Sequence, residues 1–217
     1  MNKQLKLLVA TALLAGATAP AQAHEAGDWI IRAGVGVIDP KSDNLTFATT
    51  DLDLGDIDVK VQVDSATSIT LSGTYMFTRN WAFDILAAYP FNHDINAEVV
   101  GLIGSEKIAD TDVLPPTFSI QYHFMPDADF QPYAGLGVNY TTFFNTDVVG
   151  GGASLDLDNS FGVAAQFGVD WMLNDSWLLN ADLRWIDIET DAKLDGVTLG
   201  TVSIDPWVYS INVGYRF

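Results

Sequence analysis

In DPWVYSINVGYRF, residues 205–217, every second position is large and apolar: Trp207, Tyr209, Ile211, Val213, Tyr215 and Phe217. Between them stand Val208, Ser210, Asn212, Gly214 and Arg216, small or polar with one exception. A helix would scatter both sets around its circumference, whereas an extended strand sends them to opposite faces. The same period recurs in seven earlier segments, near 29–37, 69–77, 81–89, 118–124, 130–140, 161–171 and 177–185. The chain must therefore give the two faces of one sheet two different surroundings.

Most of these segments are close to the length a tilted strand needs to cross a bilayer, about 9–11 residues. Short connections (78–80, 125–129, 173–176) alternate with long ones (39–66, 91–115, 144–160, 187–205). That alternation is expected when all turns face one compartment and all loops the other. A soluble β-sandwich also alternates, but it has little use for aromatics gathered at the short turns and termini. Trp29, Phe77, Trp81, Phe124, Phe130, Trp171, Trp177 and Phe217 cluster there, as in an interfacial girdle. The fold class read from this is all-β: an eight-stranded antiparallel transmembrane β-barrel with short periplasmic turns and long extracellular loops.

Residues 1–23 read as a cleaved signal peptide, leaving 24–217 as the barrel domain. Lys3 and Lys6 precede an apolar run at 7–15, and Ala21-Gln22-Ala23 has the small-x-small form of a cleavage site. A membrane anchor is the competing reading, but the run is short and followed by Pro20. The formal charge of −18 makes nucleic acid and anionic lipid surfaces poor partners. With no cysteine in the chain, stability must come from a core or a closed sheet rather than disulfides. Beyond the signal no apolar run is long enough for a spanning helix, so both termini are placed in the periplasm with strands crossing the outer membrane.

WIIRAGVGVIDP (29–40), AAYPFNHDI (87–95), LPPT (114–117), QPYAGLGVNYTTFF (131–144) and DPWVYSINVGYRF (205–217) resemble the OmpW family of outer-membrane proteins. The resemblance runs from the first strand to the last. It implies an eight-stranded barrel associated with uptake of small hydrophobic compounds. The C-terminal alternation of Tyr209, Ile211, Val213, Tyr215 and Phe217 is similar to the insertion signal of bacterial outer-membrane proteins, which implies the barrel-assembly machinery as a partner.

Alternation also assigns the lumen. Toward the turns it places Arg32, Asp84, Asp170, Asp182, Arg184 and Arg216, three arginines against three aspartates. In an interior that side chains can fill, these would pair into a polar plug; a wet ion pathway is the alternative. Toward the loops the inward positions turn apolar: Ile38, Leu86, Ala88, Phe143, Ala164, Ile186, Ile188 and Val208. Such a funnel would hold a hydrophobic solute and release it sideways, unless these side chains merely pack beneath the loops. Pro90, Pro115 and Pro116 remove backbone donors at one level of one hairpin and are candidates for the lateral opening.

The function expected is an outer-membrane channel for small hydrophobic molecules. The alternative is a non-transporting surface protein whose acidic loops bind divalent ions, lipopolysaccharide or a protein partner. Outer-membrane lipid and lipopolysaccharide are expected neighbours in either case. DLDLGDID (51–58) carries four aspartates but departs from a calcium-loop pattern at Gly55, Asp56 and Gln62. Ile57, Val59, Val61 and Val63 continue the odd phase of the second segment, so part of this loop is expected to be strand. His93 and His123 are expected far from His24, so no metal site and no cofactor is read. No nucleophile elbow or HExxH motif appears, and the chain is not read as an enzyme.

Overall fold

The computed structural model describes residues 24–41, 44–48, 58–100 and 104–217. Among them fifteen strands form, in chain order β1 Trp29–Asp39, β2 Leu45–Ala48, β3 Asp58–Val63, β4 Ala66–Met76 and β5 Trp81–Ala88. They continue as β6 Phe91–Val99, β7 Glu106–Leu114, β8 Thr117–His123, β9 Phe130–Val148 and β10 Leu155–Leu157. The last are β11 Ser160–Met172, β12 Trp177–Ile186, β13 Glu189–Leu194, β14 Val197–Ser203 and β15 Trp207–Arg216.

Eight of these close into a barrel in the order β11-β12-β15-β1-β4-β5-β8-β9, with β9 pairing back onto β11. They are the eight segments of the sequence pattern. The first and last strands meet antiparallel from Ile30↔Arg216 to Asp39↔Trp207, and the ring is sealed opposite by Trp171↔Phe130 through Ser160↔Thr141. Closure leaves the barrel without an unpaired edge, which is what lets strands lie in hydrocarbon.

Outward positions are apolar and open: Ile69, Leu136, Phe161 and Ile211 are each about two-thirds or more exposed. In water such a belt would aggregate; facing lipid tails it is satisfied. All eight aromatics expected at the turn end are exposed there. Several rings join edge to face, with Trp81–Tyr122, Trp177–Tyr215 and Tyr215–Phe217 centroids 5.0, 4.9 and 4.8 Å apart. Among the described residues no helix is long and apolar enough to span a membrane.

The long connections are not simple loops. The barrel wall continues upward as β2-β3-β6-β7-β9, and β10-β13-β14 form a second small sheet. The signal was present in FNHDINAEV: Phe91, His93 and Ile95 are buried while Asn92 is exposed and Asp94 half-buried. A phase change hides it. In β5 the inward residues are even (Ala82, Asp84, Leu86), in β6 they are odd, and the switch falls at Pro90. Valines 59, 61 and 63 do lie in a strand, β3, paired with β6.

Candidate functional site

From the turn end upward the lumen has three layers. The lowest is an apolar floor of Ile30, Met76, Ala82, Met172 and Leu178, all buried. Even-numbered positions near the turns supply it, and it lies outside the ionic set that the sequence pattern suggested. The N-terminal segment crosses this end: Gly27 N–H donates to Met76 C=O (2.7 Å), Met76 N–H to Asp28 C=O (2.9 Å) and His24 N–H to Pro126 C=O (3.0 Å).

Above the floor lies a polar belt. Arg32 is held by Asp170 through both carboxylate oxygens and also donates to Thr74. Thr74 donates to Asp84 (2.6 Å), and Asp84 accepts from Arg184 at 3.2 Å. Asp182 accepts from Tyr133 (2.8 Å) and Gln166 (2.6 Å), with Arg184 Nε 3.7 Å away. Asn180 donates to Asp170 (2.8 Å) and Asn212 to Asn180 (2.8 Å). Charges this deeply buried persist only when paired and hydrogen-bonded, and the belt supplies both. It leaves a void of only about 10 Å³ among Thr70, Tyr133, Asp182 and Arg184, room for roughly one water molecule.

Five of the six ionic residues expected in the plug therefore belong to one network. The sixth, Arg216, lies lower. It sits at the turn-end rim, donating to Asp175 C=O (2.6 Å) and lying 3.9 Å from Asp28, because its register partner is Ile30 at the barrel's first rung. Two arginines thus face three aspartates in the belt, and neutral donors stabilise the third carboxylate. Charge pattern alone does not single out Tyr133, the belt's main aromatic. Its inward parity beside Gln131 was the available signal.

The third layer is an apolar chamber of about 280 Å³ at the loop end. Its walls come from the barrel rim (Ile38, Phe143, Ile188) and from both upper sheets (Val61, Ile95, Ala109; Leu155, Ala192, Val202). Ile38, Ala164, Ile186, Ile188 and Val208 are buried in the adjoining cluster, with Ala88 and Phe143 packed against it. Leu86 departs from expectation: it is buried, but it borders the belt's small void with Ser72 and Arg184, one rung below the chamber. His93 lines the chamber, its Nδ1 2.7 Å from Asp64 C=O. Burial pushes this imidazole below its ordinary value.

The ladder between the second hairpin's strands lapses at one level. Pairing of β5 with β8 stops at Leu86↔Thr117, and pairing of β6 with β7 starts at Phe91↔Val113. Pro90, Pro115 and Pro116 all fall in the interval.

His24 and His123 correct the sequence reading outright. They are not far apart: their ring centroids lie 5.1 Å from each other. The docked N-terminal segment, invisible to strand periodicity, brings His24 to the foot of β8. Asp51, Asp53, Asp56 and Ile57, and the signal region at 1–23, lie outside the described residues.

The OmpW family model matches residues 25–217. Over 214 residues the chain is 42% identical to outer membrane protein W of Vibrio cholerae serotype O1, covering 94% of this chain and 95% of that one. It is 29% identical over 234 residues to outer membrane protein AlkL of Ectopseudomonas oleovorans, covering 98% and 96%. The crystal structure of the outer membrane protein OprG from Pseudomonas aeruginosa aligns with a TM-score of 0.78 at 40% identity, covering 91% of this chain and 99% of that one. With a closed eight-stranded barrel, a lipid-facing apolar surface and a family match over nearly its whole length, the chain belongs to the OmpW family of bacterial outer-membrane proteins.

Proposed function

We propose that the barrel is a conduit through which small hydrophobic molecules enter the outer membrane. The observation that carries this is the stacking of an apolar chamber of about 280 Å³ on a polar belt whose void is about 10 Å³. A hydrophobic solute leaves water for the chamber because its apolar area is buried there. It stops at the belt, where entry would strip paired charges of their partners. The remaining route is sideways, through the lapse between Leu86↔Thr117 and Phe91↔Val113 into the lipid. In this reading the loop end faces outside and the turn end, with both termini, faces the periplasm.

Uptake of a labelled hydrophobic solute, compared in cells with and without the protein, tests the function. Equal uptake would refute it. We further propose that the C-terminal strand is read during assembly. Phe217 is exposed beyond the last rung and anchors through its N–H to Trp29 C=O (2.9 Å). Phe217→Ala should lower the amount of folded barrel in the membrane, whereas an unchanged amount would leave the residue a packing role alone.

A further inference from the structure

At the turn end of the barrel two histidines that neither the belt nor the chamber uses, His24 and His123, meet the belt's Asp170. His24, His123 and Asp170 are all buried and can place one nitrogen, one nitrogen and one carboxylate oxygen within 4.8 Å of one another. Both ring nitrogens of His24 and Nδ1 of His123 lack a hydrogen-bond partner, although both residues are fully shielded from solvent. Buried imidazole nitrogens are normally satisfied. One unsatisfied nitrogen from each imidazole converging beside a carboxylate calls for a ligand that accepts their lone pairs.

We propose that His24, His123 and Asp170 bind one borderline divalent transition-metal ion, of the zinc, nickel or copper class. Two imidazoles and one carboxylate are the donor set such ions take, whereas calcium and magnesium favour all-oxygen sites. The surroundings orient the donors. Gln121 Oε1 lies 3.2 Å from His123 Nε2, and a hydrogen bond donated there by Nε2–H leaves Nδ1 with a free lone pair, the arrangement usual for ligating histidines. Asp170 Oδ1 accepts from both Arg32 and Asn180, while Oδ2 accepts from Arg32, so Oδ2 keeps a lone pair for the metal. Arg32 shares this carboxylate and its charge opposes a cation, which sets the affinity below that of a closed structural site. Beside the cluster, Gln131 is cross-strand from Asp170 and its buried Oε1 is also without a partner.

The bound ion would tie three parts of the chain together: the N-terminal segment, the end of β8 and β11. It would thereby staple residues 24–28 across the turn-end mouth. This role is separate from solute passage, and neither depends on the other.

The test uses the barrel purified from outer membranes, stripped with chelator and kept folded in detergent. Calorimetric titration with zinc should show one ion per barrel, while calcium and magnesium show none. His24→Ala and His123→Gln should each weaken zinc by more than about tenfold, and His93→Gln, at the opposite end, should leave it unchanged. Copper bound to the unaltered protein should give an electron paramagnetic resonance spectrum with nitrogen couplings from imidazole, a readout independent of how well the variants fold. Absence of stoichiometric zinc binding, undiminished binding in both folded histidine variants, or a copper spectrum with oxygen donors alone would overturn the site.

Discussion

Gly168 is the empty half of a contact with Tyr133: a Cβ at Gly168 would lie 2.2 Å from Tyr133 Cζ. The ring has nowhere to retreat. Arg32 lies over it at 5.6 Å from its centroid, His123 packs at 5.0 Å, and its hydroxyl is bound to Asp182 and Asn180. Gly168→Ala should therefore destabilise the barrel by about 1–3 kcal/mol, the usual cost of overpacking. Gly73, which has nothing within 4 Å of a built Cβ, should accept alanine without loss. Urea unfolding followed by gel mobility of the folded form measures both, and equal effects would remove the steric argument.

Breaking the belt on one side differs from neutralising it. Arg32→Met leaves Asp170 and Asp84 buried without their shared cation and should cost about 3–5 kcal/mol. The pair Asp182→Asn with Arg184→Gln removes one charge of each sign and should fold with a smaller loss. In planar bilayers that double variant should show at most a small added ion conductance, with hydrophobic uptake retained. Loss of uptake would instead indicate a path straight through the belt.

What could be read from the chain follows from the two-residue period. It marks all eight barrel strands, the lipid face and most of the belt and chamber, because a residue's parity alone fixes its side. Parity fails where the chain bends or docks without pairing. The switch at Pro90 conceals β6, and parity leaves Leu86 one rung too high because alternation gives the face and not the height. Arg216 shares the belt's face but not its height for the same reason. His24 lies on no strand, so only the folded N-terminal segment reveals its neighbour His123.

The chamber's edge should be sensitive to acid. His93 is held below its ordinary value by burial, so between its depressed folded value and the unfolded value of about 6.5 the open state binds more protons. Stability of this edge is fully present above about pH 6.5 and falls as the pH drops below it. Hydrogen exchange of β6 amides should accelerate from pH 7 to pH 5, after correction for intrinsic rates, and His93→Phe should flatten the profile. A pH-independent unaltered protein would contradict the sign.

Orientation has a direct check. Asp156 is exposed on the loop side and Asp175 on the turn side. In a chain free of native cysteine, Asp156→Cys should react with an impermeant thiol reagent on intact cells and Asp175→Cys should not. The reverse pattern would invert the barrel.

The central claim is that hydrophobic solutes pass through the apolar chamber, and the most direct measurement is their uptake after the chamber wall alone is charged. Ile38→Asp and Ile188→Asp place a carboxylate in the chamber wall, where both side chains are almost fully buried, at a desolvation cost of several kcal/mol. Val197→Asp adds the same charge at an exposed position. With equal amounts of folded barrel in the membrane, the two chamber variants should lose nearly all uptake of a labelled hydrophobic solute while Val197→Asp keeps it. Undiminished uptake in the chamber variants would contradict the account.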